Sequence, residues 1–135
     1  MPGDPLFACT WTGNAVGINR KIAVRRGRPC NSPEYKNFLD DLLWAFHRER
    51  VCALPDTIAV PVWVKRVEYV NPARDHDSLT KPICDALELA GVVANDNLIT
   101  RSPRELIAKK RGTLDVITVE VYAADTQAVM TAEEG

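Results

Sequence analysis

The sequence predicts an α+β domain, a small mixed sheet with two main helices packed on it. Two stretches, residues 33–48 and 79–90, repeat apolar residues at helical spacing. Two others, residues 57–70 and 114–122, are rich in Val and Ile with partial alternation, as strands are. The 135 residues, 46% apolar and 26% charged, suffice for one core of ordinary globular composition. A single domain is expected over residues 1–122, with a flexible acidic tail over 123–135.

Leu6 to Trp11 is apolar and reads as a first strand. Ile18 to Val24 is either a second strand or part of a basic arm, and Gly27-Arg28-Pro29 breaks the pattern. Ser32-Pro33-Glu34 is a helix start, with Ser32 as N-cap and Pro33 at the first helical position. Behind it Tyr35, Phe38, Leu39, Leu42, Leu43 and Phe46 form one apolar face, with Lys36, Asp40, Asp41 and Arg48 elsewhere on the wheel.

After the linker turn Leu54-Pro55-Asp56, Thr57 to Val70 reads as a strand with Ile58, Val60, Val62 and Val64 on one face and Trp63 on the other. Pro61 marks an edge, a bulge or a break within it. Leu79, Ile83, Ala86, Leu87 and Ala90 then predict a second helix, closed by Gly91. Pro82 requires that this helix begin close to it, capped by Asp77, Ser78 or Thr80. Leu106–Lys109 and Leu114–Tyr122 read as a hairpin around Lys110-Arg111-Gly112-Thr113. Trp11, Trp44 and Trp63 read as core or interface residues and Cys84 as a small core residue.

Several classes of function are disfavoured. No apolar run approaches the roughly 20 residues that cross a bilayer, and Met-Pro-Gly-Asp-Pro lacks the regions of a signal peptide. A cytoplasmic protein is expected. Cys9, Cys30, Cys52 and Cys84 never form a C-x-x-C pair, which argues against a zinc ribbon or redox motif, and free thiols are expected. His47 and His76 are too few for a histidine-rich metal site.

The formal net charge of −1 conceals segregation. Every Lys and Arg precedes Gly112. Arg20, Lys21, Arg25, Arg26 and Arg28 make one acid-free basic stretch; Arg101, Arg104, Lys109, Lys110 and Arg111 make another, against Glu105 alone. Such stretches engage phosphates or are solvated loops.

The segment from Arg74 to Lys81 carries the chemistry, together with Asp85 and Asn95-Asp96. Asp75 and Asp77, two apart in an extended segment, point the same way, and the following helix's N-terminus favours negative charge. If the chain folds back, Asp96 reaches them. Three crowded carboxylates repel, and a hard divalent cation such as magnesium removes that penalty. Lys81, four residues after Asp77 and four before Asp85, shares a helix stripe with both. It can offset charge on a phosphorane-like transition state, with Asp85 as its anchor. The same residues can also be read as capping and turn chemistry, with Lys81–Asp85 a surface pair of about 0.3–0.5 kcal/mol. His76 needs no role.

The run RDHDSLTKPICDALELAGVVANDN closely resembles the RusA family of Holliday junction resolvases, small endodeoxyribonucleases of bacteria and their phages. Asp75, Asp77, Lys81, Asp85, Leu87, Gly91 and Asp96 fall in register with the family pattern, while Ser78 and Asn95 replace its usual Asn and Asp. Asn19-Arg20, Gly27-Arg28, Ser32 and Tyr35 are similar to the family's N-terminal basic region.

The resemblance implies that Asp75, Asp77 and Asp96 bind magnesium, which manganese can replace, and that Lys81 is the fourth catalytic residue. It also implies a homodimer that resolves four-way DNA junctions by paired symmetric nicks. Arg20, Lys21, Arg25, Arg26, Arg28, Arg74, Lys109, Lys110 and Arg111 are the residues expected to hold DNA phosphates. The rival expectations are a junction- or DNA-binding protein of the same fold with little or no activity, and a partner-binding domain whose acids only cap helices.

Overall fold

The computed structural model describes residues 4–16, 22–25, 28–31, 33–71 and 79–124, with 22–25 and 28–31 described by their backbone alone. The architecture is α+β: a mixed five-stranded sheet with two helices packed on it. β1 (Phe7–Gly13) and β4 (Val62–Val70) flank β7 (Asp115–Ala123), and both run antiparallel to it. On its other edge β4 pairs in parallel with β5 (Ile99–Arg101) and β6 (Arg104–Ala108). The helices are α1 (Pro33–Ala53) and α2 (Thr80–Leu89).

The apolar patterns explain the packing. Tyr35, Phe38, Leu42 and Phe46 of α1 and Pro82, Ile83, Ala86 and Leu87 of α2 are buried. From the sheet they meet Phe7, Trp11, Val62, Val64, Ile117, Val119 and Val121. Edge-on ring contacts tie α1 to β1: Phe7 to Phe46 at 6.1 Å and Trp11 to Phe38 at 5.0 Å between centroids. α2 ends as its sequence predicts, with Gly91 at φ +79° just after the terminal Ala90. Its start differs. Leu79 occupies the N-cap without a side-chain cap and Thr80 is already helical; Asp77 and Ser78 lie outside the described residues, as does Ser32 before α1. Pro82 falls in the first turn, where an N–H has no intrahelical acceptor to lose; the first helical bond runs from the Ile83 N–H to the Leu79 carbonyl, 3.1 Å.

Three expectations need correction. Residues 57–70 are not one strand: β4 begins at Val62, after Pro61, and Ile58 makes a separate parallel bridge to Val93. Val60 is therefore exposed and does not share the buried face of Val62 and Val64. Gly27-Arg28-Pro29 does not simply break the chain, because β2 (Ile22–Arg25) and β3 (Arg28–Asn31) pair antiparallel, with Arg25 opposite Arg28. The expected hairpin of residues 106–109 with 114–122 does not form. Gly112 adopts φ +82° and the Thr113 N–H bonds the Lys110 carbonyl (3.3 Å), so the turn is real, but β4 lies between the strands it joins. Turn chemistry specifies a reversal and does not specify which strand fills the gap.

The connection is held by buried charge. Asp115, fully buried at the start of β7, accepts from the Ala15 N–H at 2.8 Å, and its other oxygen lies 2.8 Å from the Lys109 ammonium. Breaking a buried pair costs more than never having it, because the survivor is left without compensation. Asp115→Ala is expected to lower unfolding stability by about 3–5 kcal/mol in urea melts. A loss below about 1 kcal/mol would mean that this pair does not hold the β1, β6 and β7 ends together.

Candidate functional site

α2 displays two of the residues singled out from the sequence. The Lys81 ammonium donates to Asp85 Oδ1 at 2.9 Å, the i,i+4 geometry their spacing predicts. Lys81 is largely exposed while Asp85 is recessed, so the carboxylate is the fixed partner. Accepting that hydrogen bond, Asp85 holds the lysine above its ordinary range, and the negative charge of Asp96 adds to the effect. At neutral pH Lys81 is a fixed cation and cannot serve as a general base.

Asp96 reaches this neighbourhood through its backbone. The Asp96 N–H donates to Glu88 Oε1 (2.9 Å) on the last turns of α2. Asp96 opens a single 3-10 turn, Asp96–Leu98, whose N-cap is Asn95; the Asn95 side-chain oxygen accepts from the Asn97 N–H at 2.8 Å. Asn95 is thus a capping residue, a position that Asn and Asp serve equally well. Asp85, Glu88, Asn95, Asp96 and Asn97, with Leu89, line an open hollow of about 390 Å³.

From the first helix Tyr35 closes on the same place. Burial, with the Asp85 charge beyond it, pushes its phenol up. Cys84, one position from Asp85, is partly buried at the margin of the core and not within it, and burial raises its thiol although the Arg66 guanidinium lowers it. Arg66 belongs to a buried group on the face of β4 turned toward the helices. It donates to Glu68 Oε2 (2.6 Å) and Ser102 Oγ (2.9 Å), and Arg104 stands 3.8 Å from the other Glu68 oxygen.

Glu88, Arg66 and Glu68 were not anticipated from the sequence. The alternation Val62, Val64, Arg66, Glu68, Val70 carries the signal for the last two, since it places two charges in an apolar row.

Arg74, Asp75, His76 and Asp77 lie outside the described residues, as do Arg20, Lys21 and Arg26; the side chains of Arg25 and Arg28 are likewise not described. Among the described residues no three His, Cys, Asp or Glu side chains are grouped closely enough to hold a metal ion. Lys81, Asp85 and Asp96 are brought together.

The second basic stretch divides by role. Arg101 lies 5.5 Å over the Trp63 ring, which stacks on Tyr122 at 4.5 Å; Arg104 faces Glu68 and Lys109 is taken by Asp115. Lys110 and Arg111 stay exposed on the turn, which the Lys110 N–H ties to the Tyr69 hydroxyl at 2.8 Å. Arg111, Lys109 and Gly112 border a hollow of about 460 Å³ with Asn71, the last described residue before the acidic segment.

No known family model matches the chain, and no curated protein matches it either.

Two outcomes follow. Asn95→Ala removes the cap and is expected to cost about 0.5–2 kcal/mol in thermal or urea melts, whereas Asn95→Asp is expected to leave stability within about 0.5 kcal/mol. Lys81→Met is expected to cost no more than about 0.5 kcal/mol at pH 7. Because the folded-state pKa of Lys81 is raised, its small contribution is complete below the unfolded-chain value of about 10.4 and is lost as pH rises through the folded value. Urea melts of both proteins between pH 7 and strongly alkaline pH check this, and a gap that opened toward acid would contradict it.

Proposed function

We propose that this chain is a magnesium-dependent, structure-selective DNA endonuclease that resolves four-way junctions by paired symmetric nicks. The observation that carries the reading is the convergence of Lys81, Asp85 and Asp96 on the helix that follows the Asp75-x-Asp77 segment. The resemblance to RusA-family resolvases supplies the substrate class.

The donor set fits the cation. Asp75, Asp77 and Asp96 offer only carboxylate oxygens, the hard ligands magnesium prefers. When bound there, magnesium (or manganese in its place) would supply Lewis-acid polarisation of a phosphodiester oxygen and a more acidic attacking water.

The chain's own groups do the rest. Lys81, cationic at neutral pH and oriented by Asp85, places positive charge where the non-bridging phosphate oxygens gain negative charge in the transition state. In-line water attack leaves 5′-phosphate and 3′-hydroxyl ends. Lys110 and Arg111, with Arg20, Lys21, Arg25, Arg26, Arg28 and Arg74, hold DNA phosphates, contacts that position without reading sequence. Lys109 joins them only at the cost of its pairing with Asp115. A homodimer presents two such sites to a two-fold substrate.

The test is a labelled four-way junction incubated with magnesium or manganese, with wild type beside Asp77→Asn and Lys81→Met. Wild type is expected to cut two strands symmetrically and Asp77→Asn to bind without cutting. Lys81→Met is expected to lose about 10²–10³-fold in cleavage rate with junction affinity little changed. Binding should weaken steeply between low and moderate salt. Wild-type binding without cleavage under either ion would sink the enzymatic reading and leave a DNA-binding protein.

A further inference from the structure

The helix whose inner face builds the core carries an unusual outer one. On α1, Trp44 is 61% exposed and Val51 60%, seven residues on, in the same stripe. The Trp44 ring meets His47 edge-on at 6.1 Å, both turned away from the core. A tryptophan in water sacrifices a large apolar surface, and at interfaces tryptophan is among the residues that contribute most to binding.

The charges around it are antisymmetric. Asp40 and Asp41 stand four and three residues before Trp44; His47 and Arg48 stand three and four after it. All four are exposed. At about 100° per residue, Asp40 and His47 fall on one flank of Trp44, and Asp41 and Arg48 on the other. A two-fold axis through the indoles, crossing the helices at right angles, reverses the order along each flank and leaves the flanks in place. Asp41 of one copy then faces Arg48 of the other, and Asp40 faces His47. Parallel pairing would instead set acid against acid. The stripe is complementary to itself in the antiparallel sense alone, the condition for a closed, isologous contact.

We propose that the outer face of α1 is a docking surface for a second copy of this chain, the two helices pairing antiparallel about Trp44. This surface lies opposite the helix face that carries Tyr35 toward Asp85, so docking leaves the candidate site open. The proposal does not depend on the chemistry of Lys81 and Asp96.

Sedimentation equilibrium of the full chain over a concentration series tests it, with circular dichroism confirming that each variant is folded. Wild type is expected at dimer mass and Trp44→Glu at monomer mass. Asp41→Arg and Arg48→Asp should each weaken association at least about tenfold, and the double variant Asp41→Arg/Arg48→Asp should recover most of it. A monomeric wild type, a dimer that Trp44→Glu leaves intact, or a double variant as weak as its singles overturns the proposal. The proposal gives a surface to the homodimer of the proposed function, and the two fail separately: a dimer that Trp44→Glu leaves intact overturns this surface alone, whereas cleavage chemistry is scored with Asp77→Asn.

Discussion

Two strands that pair in parallel cannot be joined by a tight turn, because the chain must first travel back to the end from which it started. β4 and β5 stand in that relation, so everything between Val70 and Ile99 is one crossover with α2 as its helical part. The geometry of the candidate site follows from this constraint. Ile83, Ala86 and Leu87 must face the sheet to be buried, and this turns Lys81 outward with Asp85 one helical turn beyond it. The far end is clamped where Ile58 donates to the Val92 carbonyl (2.9 Å) and accepts from the Ala94 N–H (2.8 Å). Asp96 follows two residues later, already anchored to Glu88. A hairpin in place of the crossover would have no helix on which to mount Lys81 and no return path for Asp96.

Arg66 and Glu68 bring charge into the same central strand. Both are almost fully buried, and an apolar pair of similar volume would hold the strand at least as well. What the ions add is register. Arg66 is opposite Arg104 and Glu68 opposite Leu106, so the carboxylate sits between two guanidiniums only when β6 is aligned as observed. A slip by one residue would turn Arg104 to the other face of the sheet and leave a buried carboxylate short of a partner. In a five-residue parallel strand with few large apolar side chains, that penalty is a stronger constraint on alignment than packing.

Much of the fold was legible because the buried faces are periodic. The rows Tyr35, Phe38, Leu42, Phe46 and Leu79, Ile83, Ala86, Leu87, Ala90 locate both helices and Gly91 names an end, although α1 continues to Ala53, past its last buried aromatic. What was not legible is pairing. Arg104–Ala108 and Asp115–Ala123 look like the arms of a hairpin because the signal that joins them is local, while the strand between them comes from some forty residues earlier. At the site, i,i+4 spacing foretold Lys81–Asp85 because a helix dictates it. Nothing local could foretell that Glu88 would accept the Asp96 N–H, since that contact exists only once the crossover has closed.

Charge balance ties these threads together. The chain is nearly neutral, yet its cations are not interchangeable. Arg66, Arg104 and Lys109 are committed to buried carboxylates and Arg101 to an aromatic stack, so none of them can move to a ligand without giving up a partner in low dielectric. Lys81, Lys110 and Arg111 are held by surface geometry alone, where changing partners costs little. The acids divide in the same way. Glu68 and Asp115 are neutralised inside the fold, while Asp85, Glu88 and Asp96 border one open hollow, and of these Asp85 is paired with Lys81. That hollow is therefore bordered by three carboxylates of which, among the described residues, Asp85 alone is paired with a lysine, and the excess negative charge is screened by solvent and not by a partner inside the fold.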